Sequence, residues 1–543
     1  MKSVNLLKSI AVCLLCILSS AAWSANEIWS DIIQKVKLSE VDKVNVSVSH
    51  YRLLNAEFWA LKQILLDRTN DSYKIELPMP DGSMATFQLD YAPVYEIELE
   101  LKYPSIRTFK GHQIDSPGNR GRFDITPHGF HGMFTYNNQR AFIDPMQRGN
   151  TATYLSYYKQ HARPMSKMVT DEVLRHSDGF DPESFPAKPQ RRAGETLKTY
   201  RLAMAASGEY TAFHGGTKEL GQAAIVTTMN RVNEVYNTDL SVQLTLVGNN
   251  DIVVYTDAST DPYGNDSNDI NTNGDVLDDN IGNTNYDIGH VVNTGGGGVA
   301  ALGSVCTSGK AQGVTGTDTP VNDAFSIDYV SHEIGHQFGG EHTFNGNDGN
   351  CGTRSSNDAY EPGSGSTIMA YAGICGSENL QLNSDAFFHS HSVEQIGKFM
   401  QQDGNCSTTS ALNNETPTVS AGNDFTIPAS TPVMLTGSAT DPESDTMSYS
   451  WEQFDLGTVS TNAETMVDDG SRPIFRAFLP TSVPTRYLPK LTDILTGTST
   501  IGESYATTSR TMTFKLIARD NKGNTASDTM VATVDSASGP FTV

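Results

Sequence analysis

The sequence is poor in positive charge and contains no cluster of lysine and arginine. Among 543 residues, 38 are Lys or Arg and 62 are Asp or Glu, which gives a formal net charge of -24. Binding to nucleic-acid phosphates requires clustered cations, so this composition argues against a nucleic-acid-binding protein and against contact with anionic membranes. The acidity is common in exported proteins, where it aids solubility, and it carries no information on fold.

Long apolar runs are also absent. No stretch after the first 25 residues reaches the roughly 18 apolar residues of a transmembrane helix. Residues 1–25 have the features of a signal peptide: Lys2 and Lys8, the apolar run "SIAVCLLCILSSAA", and small residues at potential cleavage sites. We therefore expect export to the extracellular medium or the periplasm, without a transmembrane segment.

Cysteine is scarce, and residues 26–195 contain none. Removal of the signal peptide would leave four of the six cysteines, at positions 306, 351, 375 and 406. An even number in an oxidising compartment predicts two disulfides, for which three pairings remain open.

The length predicts several domains. Residues 26–195 contain alternating patches such as "ATFQLDY" and "VYEIELELKY", which predict strands. Residues 196–410 combine a helical pattern, "GTKELGQAAIVTTMNRVNEVYNTDL", with β-type runs such as "SVQLTLVGNNDIVVY", which predicts an α/β (α+β) domain. Residues 415–543 contain short β-type runs separated by turns, which predicts an all-β sandwich with Trp451 in its core. No feature names a partner for this sandwich.

Three of the chain's 13 histidines fall within the stretch "HEIGHQFGGEH". On a helix, His332 and His336 project from one face and can both bind one zinc ion at ~2.0–2.1 Å. Gly339 can end the helix in a left-handed conformation, so that His342 returns as a third ligand. Three histidines would leave the fourth position open for water, as in catalytic zinc sites, and Glu333 could take a proton from that water.

This HExxHxxGxxH pattern, followed by a methionine turn in "GSGSTIMAYAG", resembles the metzincin clan of zinc endopeptidases. Within the clan, the chain is similar to secreted bacterial reprolysin-like (M12B-like) peptidases over roughly residues 196–410, including "YRLAMAASGEYT" and "NYDIGHVVNTGGGGVA". The resemblance implies a metzincin-type catalytic domain with a twisted sheet and a long zinc helix. It also implies a β-rich propeptide at 26–195 and an Ig/PKD-like module at 415–543.

The resemblance implies a role for each matching residue. His332, His336 and His342 match the zinc ligands, and Glu333 matches the general base. Met369 matches the turn methionine, which would lie beneath the metal as an apolar floor.

Further roles follow from the same resemblance. Tyr371 matches a tyrosine that in some metzincins ligates zinc or stabilises the oxyanion. The run "GGGGVAALGSV" resembles the edge strand that pairs with an extended substrate, where glycines let another backbone approach closely. The residues of this predicted substrate edge strand are Gly297, Gly298, Val299 and Ala300. The family also implies a disulfide between Cys306 and Cys406, which leaves Cys351 to pair with Cys375.

Two features depart from the family pattern. Thr343 follows the third histidine, where adamalysins carry aspartate. Many metzincin propeptides block the zinc with a cysteine, and the predicted propeptide has none. An inhibitory propeptide must therefore use another group, for which His128 and His131 are candidates, although ordinary strand or turn positions explain both residues better.

These observations predict a zinc-dependent endopeptidase made as a zymogen, in which Glu333 activates a zinc-bound water to hydrolyse peptide bonds in extended protein or peptide substrates. One alternative is a surface adhesion or binding protein with an inactive metalloprotease-like domain, against which the intact Glu333 argues. Another is a zinc peptidase whose third ligand is a downstream glutamate, such as Glu361 or Glu378.

The run "DINTNGDVLDDN" starts like a calcium loop, with Asp269, Asn271, Asn273 and Gly274 at the required offsets. Its twelfth position is Asn280, where such loops carry a bidentate glutamate. The pattern leaves a Ca²⁺ site open, although an Asn/Asp/Gly-rich surface loop without an ion explains it better.

Overall fold

The structure is a computed structural model. It describes residues 28–34, 36–163, 165, 171–175, 196–462, 464 and 466–539. The predicted signal peptide at 1–25 lies outside these residues. Within them, no helix is both long enough and apolar enough to cross a membrane.

The first region is a nine-stranded antiparallel sheet with two short helices. The strands and helices are β1 (Trp29–Asp31), β2 (Ser47–Val48), β3 (Arg52–Ala56), α1 (Phe58–Leu65), β4 (Ser72–Pro78), β5 (Met84–Tyr91), α2 (Ile97–Lys102), β6 (Arg107–Gln113), β7 (Ser116–Thr126), β8 (Gly129–Tyr136), β9 (Gln139–Pro145), β10 (Thr153–Tyr158) and β11 (Ala162–Arg163). The sheet order is β1-β3-β10-β9-β8-β7-β6-β5-β4, and β11 pairs with β2. The region is β-rich, as the sequence predicts.

One predicted strand in this region is wrong. "ATFQLDY" forms β5 as expected, but "VYEIELELKY" contains the helix α2. Glu98 and Glu100 lie in the first turn of α2, where carboxylates interact favourably with the helix dipole. The alternating pattern also does not define a buried face, since Leu99 is buried whereas Ile97 and Leu101 are exposed.

The second region is a mixed α/β unit built on a seven-stranded sheet. Its strands are β12 (Asp171–Leu174), β13 (Thr196–Ala206), β14 (Val242–Leu246), β15 (Ile288–Asn293), β16 (Gly297–Ala301), β17 (Gly313–Gly316) and β18 (Thr408–Ala411). The order is β12-β16-β17-β15-β13-β14, with β18 antiparallel to β13. The outer strand β12 comes from the predicted propeptide, so the sheet crosses the predicted boundary at residue 195.

The helices of this unit are α3 (Gly208–Phe213), α4 (Lys218–Leu240), α5 (Asp269–Asn280), α6 (His332–Gln337) and α7 (Ser390–Gln401). The predicted helix over "GTKELGQAAIVTTMNRVNEVYNTDL" is confirmed as α4. Thr217 caps it by accepting a hydrogen bond from Leu220 N at 3.2 Å. Apolar residues recur along this helix at spacings of three and four and are buried: Ile225, Met229, Val232 and Val235.

The candidate calcium loop is the helix α5, so the prediction of a Ca²⁺ loop and the prediction of a plain surface loop are both wrong. Ile270 and Leu277 of this helix are buried, and that packing outweighs the weak helix propensity of the Asn/Asp/Gly-rich sequence. Its polar groups serve the fold: Asp269 accepts hydrogen bonds from Gly264 N at 2.6 Å and Asn293 Nδ2 at 2.7 Å. These residues therefore give no support for a Ca²⁺ site in this segment.

The C-terminal region is β-rich and contains β19 (Thr418–Ser420), β20 (Phe425–Pro428), β21 (Val433–Thr436), β22 (Ser438–Thr440), β23 (Ser448–Gln453), β24 (Thr485–Leu488), α8 (Leu491–Thr496), β25 (Arg510–Arg519) and β26 (Thr525–Asp535). Its sheets are β20-β26-β25-β23, β19-β22 and β21-β24. Trp451 lies in the hydrophobic core of this region, as predicted, and donates a hydrogen bond to Pro484 O at 3.1 Å.

Helix α4 connects the three regions. Arg231 of α4 forms a buried ion pair with Asp144 of β9 in the N-terminal sheet. At the end of the same helix, Asp239 accepts a hydrogen bond from Arg519 of β25 at 2.6 Å. Tyr236 donates a hydrogen bond to Ser331 O at 2.9 Å, so this helix also supports the residue that precedes the histidine motif.

Both cysteine pairs implied by the family resemblance lie at disulfide distance. The Cα atoms of Cys306 and Cys406 are 5.7 Å apart, and those of Cys351 and Cys375 are 5.2 Å apart. The first pair ties the loop after β16 to the segment after α7. The second pair closes the loop that carries Met369.

Candidate metal centre

The helical segment that carries the first two histidines of the motif changes from a π-helix to an α-helix along its length. Residues Ala324–Ser331 form a π-helix, which continues directly into α6. π-helical turns are rare and often occur at functional sites. Asn322 caps the segment by accepting a hydrogen bond from Ala324 N at 3.2 Å.

Packing fixes the orientation of α6. Ile334 and Phe338, four residues apart on one side of the helical segment, are fully buried. From another position on the helix, Gln337 Nε2 donates to Gly289 O of β15 at 2.9 Å. The helix is therefore held against the sheet as well as against the hydrophobic core.

Gly339 ends the helix as predicted. Its φ of 85° lies in the left-handed region, and its N–H donates to His336 O at 2.8 Å. Gly340 N then donates to Gly335 O at 2.9 Å. This reversal carries the chain back so that His342 faces the two helical histidines.

The Nε2 atoms of the three histidines converge. They lie 2.9 Å apart between His332 and His336, 3.0 Å between His336 and His342, and 3.2 Å between His332 and His342. Ligands at ~2.0–2.1 Å from one tetrahedral zinc ion would lie roughly 3.3–3.4 Å apart. The spacing fits a single zinc ion among the three rings.

Hydrogen bonds on the opposite side of two rings set their tautomers. His332 Nδ1 donates to Ile368 O at 2.6 Å, and His336 Nδ1 donates to Gly340 O at 2.6 Å. A carbonyl only accepts, so both Nδ1 atoms carry the proton and both Nε2 atoms present lone pairs. Burial also lowers the pKa of His336 and His342, which keeps these imidazoles neutral. Buried lone pairs that face one another are unfavourable without a cation, so the donor set fits a metal.

A fourth metal-binding side chain, Asp171 of β12, faces the histidines. Its Oδ2 lies 2.9 Å from His332 Nε2 and 3.4 Å from His342 Nε2. The four candidate ligand atoms, including that of His336, lie within 4.8 Å of one another. The fourth position, which the sequence predicts to be open for water, therefore faces a carboxylate of the chain itself.

Glu333 lies between the histidine cluster and β16. A Cβ atom on Gly298 would lie 1.7 Å from Glu333 Oε1, so only glycine leaves room for this carboxylate. Among the residues that the structure describes, no donor hydrogen-bonds to either of its oxygens. Burial, and then the nearby carboxylate of Asp171, raise the pKa of Glu333 well above its usual value.

Met369 packs against the zinc-motif helix α6. Its Sδ packs against α6 at Gly335, where a Cβ atom would approach to 2.4 Å. The preceding carbonyl, of Ile368, is the group that orients His332. The turn therefore supports the cluster by apolar contact and by a hydrogen bond.

Tyr371 packs beside the third histidine. Its ring centroid lies 4.5 Å from that of His342 and 4.4 Å from that of Phe344. Burial, and then the charge of Asp171, raise the pKa of Tyr371 well above its usual value. The phenol therefore stays protonated and can donate a hydrogen bond within the site.

The predicted substrate edge strand is β16, but β16 does not lie at the edge of the sheet in this chain. It pairs with β17 on one side and with β12 on the other. The residues concerned, with their partners on β12 or β17, are Gly297, Gly298, Val299 and Ala300. The sequence gives no sign of this pairing, because β12 belongs to a distant segment.

Other candidate residues lie away from the histidines. Glu361 accepts hydrogen bonds from Thr343 Oγ1 at 2.7 Å and Ser366 N at 2.8 Å. Glu378 accepts from the backbone N–H groups of Asn347 and Asp348. Both glutamates brace loops, and neither belongs to either of the two groups of potential metal ligands found in the described part of the chain, Asp171/His332/His336/His342 and Asp441/Glu443/Asp445.

The two candidate inhibitory histidines are likewise remote. His128 Nε2 contacts Leu220 O at 2.8 Å, and His131 Nδ1 contacts Asp124 Oδ1 at 2.8 Å. The contact of His128 joins the N-terminal region to α4, and the contact of His131 lies within the N-terminal sheet. Neither histidine lies beside the metal cluster, whereas Asp171 does.

Part of the chain is similar to a known protein family. Residues 196–398 match the family model described as Metallo-peptidase family M12B Reprolysin-like. This part of the chain is therefore similar to metallopeptidases of that family. Metallopeptidases of this family use zinc and act on proteins or peptides, and the histidine cluster of this chain agrees with the use of such a metal. A search of curated proteins gave no match.

Proposed function

We propose that this chain is a secreted zinc-dependent endopeptidase, made as a zymogen, that hydrolyses peptide bonds in extended protein substrates. The observation that carries the proposal is the buried convergence of three imidazole Nε2 atoms beside the carboxylate of Glu333. The M12B match over residues 196–398 supports the reaction class.

His332, His336 and His342 would hold the zinc ion. When bound, zinc supplies a Lewis acid that polarises the scissile carbonyl and lowers the pKa of water to about 7. The carbonyls of Ile368 and Gly340 fix two of the rings in the tautomer that binds metal.

Glu333 would act as general base and then as general acid. Its carboxylate takes a proton from the attacking water at one oxygen and delivers it to the nitrogen of the leaving amine. The carboxylate is fully buried beside the converging histidines, so a proton that it accepts stays within the site until it is delivered.

Tyr371 would stabilise the negative charge that develops on the carbonyl oxygen. Its hydroxyl is buried beside the ligands and remains protonated. A fixed donor in a site shielded from water stabilises an oxyanion strongly, because the local dielectric constant is low.

The strand β16 would bind the substrate backbone. It is buried, rich in glycine, and adjacent to Glu333 at Gly298. An extended peptide paired with this strand would carry its scissile bond past Glu333 and the histidines. In this chain, β12 must leave before a substrate can pair there.

Gly298→Ala is expected to lower kcat/KM by about 10²-fold without loss of zinc, because displacement of a catalytic group by about 1 Å has an effect of that size. The added methyl group would overlap the carboxylate of Glu333 and force it out of place. The measurement is peptide hydrolysis by the mature enzyme, with zinc content determined in parallel.

Gly274→Ala is the matched control. Gly274 lies within α5, and the nearest atom to an added Cβ is Ala311 Cβ at 4.0 Å. This variant should retain full activity and gain a little stability from the better helix former. Equal activity in the two variants would contradict the placement of Glu333 against β16.

Chelation is expected to abolish hydrolysis, and equimolar Zn²⁺ is expected to restore it. The chain is assayed on unfolded casein before and after limited trypsin treatment, with 1,10-phenanthroline and then with added zinc. Hydrolysis that survives complete removal of metal would refute the proposal. A zinc-loaded, trypsin-treated chain that cuts nothing would favour the alternative of a binding protein with an inactive domain.

A further inference from the structure

We propose that Asp171 is the fourth ligand of the metal in the uncleaved chain, and that β12 occupies the substrate position on β16. The chain would thus be kept latent by its own carboxylate. This inference rests on the proposed zinc site and adds the means by which the site is closed. The segment that supplies Asp171 precedes the residues that match the metallopeptidase family, 196–398.

The first supporting contact is backbone pairing. Strand β12 runs parallel to β16, with Asp171 opposite Gly298 and Leu174 opposite Ala301. The pairing continues beyond the strand, where Leu302 N donates to Leu174 O at 2.9 Å. These are the backbone groups of β16 that an extended substrate would need.

The second contact is the carboxylate itself. The side chain of Asp171 is fully buried, and its Oδ2 lies 2.9 Å from the Nε2 of His332. No donor in the described part of the chain hydrogen-bonds to either carboxylate oxygen with acceptable geometry. Burial of an unpaired carboxylate is costly, and a cation bound between it and the histidines would remove that cost. Carboxylate oxygens ligate zinc at ~2.0–2.2 Å, so aspartate can fill the role of a cysteine thiolate.

The third contact anchors the end of the segment. Arg175 Nη2 lies 2.6 Å from Glu341 Oε1, and Glu341 directly precedes the ligand His342. The guanidinium is largely exposed whereas the carboxylate is buried. The segment is therefore held on both sides of its paired strand, by Asp171 at one end and by Arg175 at the other.

The space around the ligands is consistent with a closed site. The cavity that borders Asp171, His332 and Tyr371 has a volume of about 20 Å³, which is room for about one water molecule. His336 and Glu333 are fully buried. A peptide cannot reach the histidines while β12 is in place.

A purely structural zinc site would also have four protein ligands. Two features favour latency. Glu333 lies beside the ligands with both oxygens lacking a donor among the described residues, which has no use in a structural site. The fourth ligand also comes from an outer strand of the sheet, which can leave without disruption of the inner strands.

Access to the metal is tested with the full chain carrying Glu333→Gln, which prevents self-cleavage, and with Co²⁺ in place of zinc. Acetohydroxamate is the probe, and its binding is followed by the visible absorption of cobalt. Asp171→Asn should bind the probe about 10²-fold more tightly than the parent chain, since a tethered ligand competes at high effective concentration.

Glu172→Gln is the matched control, because it removes the same charge from the adjacent, exposed side chain. It should behave like the parent. Arg175→Gln should raise the probe affinity by a smaller factor, and it serves as the test if circular dichroism shows that the Asp171 variant does not fold.

The inference would be overturned if Asp171→Asn bound the probe with the same affinity as the parent. Where Arg175→Gln is the test, equal affinity of that variant and the parent would overturn it in the same way. Failure of the parent to bind one metal ion would instead overturn the proposed zinc site, so the two failures are distinct. As a further readout, zinc-loaded chains with native Glu333 should cleave casein without trypsin treatment when they carry Asp171→Asn, and should not when they carry Glu172→Gln.

Discussion

Replacement of Glu333 by glutamine is expected to lower kcat/KM for peptide hydrolysis on the order of 10³-fold, the range in which a general acid–base group contributes. Glutamine preserves the shape of the side chain but cannot accept and return a proton. The zinc ion should stay bound, because Glu333 is not one of the converging ligands.

The measurement combines steady-state hydrolysis by the mature enzyme with metal analysis of the same sample. Glu219→Gln provides the control, since Glu219 is an exposed carboxylate in the first turn of α4. That variant should keep its activity. A Glu333→Gln enzyme that still turns over substrate at the parent rate would remove the assigned base, and one that loses zinc would make Glu333 a structural group.

Replacement of His342 by alanine is expected to remove both zinc and activity. Its Nε2 is one vertex of the triangle formed with His332 and His336. Loss of an outer-shell partner of a metal ligand typically costs 10–100-fold in metal affinity, and loss of the ligand itself should exceed roughly 10²-fold. Competition with a chromogenic zinc chelator measures this change directly.

The two downstream glutamates, Glu361 and Glu378, provide the comparison for this experiment. Glu361→Gln and Glu378→Gln should each retain one zinc ion, because both carboxylates brace loops through hydrogen bonds. The Glu361 variant should also unfold at a lower temperature, since it weakens buried hydrogen bonds to Thr343 and Ser366. Zinc loss in either glutamate variant, with zinc retained in His342→Ala, would transfer the third ligand to a glutamate.

Local spacing in the sequence determines much of the candidate site. The four-residue interval places His332 and His336 on one face of α6, and the glycine at 339 takes up the left-handed conformation that turns the chain. His342 then needs only a short loop to reach the cluster. Each of these steps depends on neighbours within a few residues, which is the range over which sequence patterns are informative.

Sequence patterns that lack such local determinants predict the secondary structure less well. The Asn/Asp/Gly-rich run that forms α5 has weak helix propensity, and only the burial of residues such as Ile270 and Leu277 explains its helix. The alternating apolar residues around Ile97–Lys102 predict a strand. The segment instead forms the helix α2, whose first turn carries acidic residues that interact favourably with the helix dipole. In the predicted strands of "SVQLTLVGNNDIVVY", the second half contains a 3-10 helix at Asn250–Val253.

Asp171 could not be found from spacing at all. It lies far from the histidine motif along the chain, and a lone aspartate in "TDEVL" has no distinctive neighbours. Only the pairing of β12 with β16 brings it to the cluster. Strand pairing between distant segments depends on the tertiary fold, so no local pattern in the sequence identifies Asp171 as a neighbour of the histidines.

We propose that three imidazoles and, in the uncleaved chain, one aspartate surround a single metal ion. Anomalous diffraction at the zinc edge from crystals of the Glu333→Gln chain tests it most directly. We expect one peak at ~2.0–2.2 Å from the Nε2 atoms of His332, His336 and His342 and from one oxygen of Asp171. A zinc peak elsewhere, or His342 turned away from the other two rings, would contradict it.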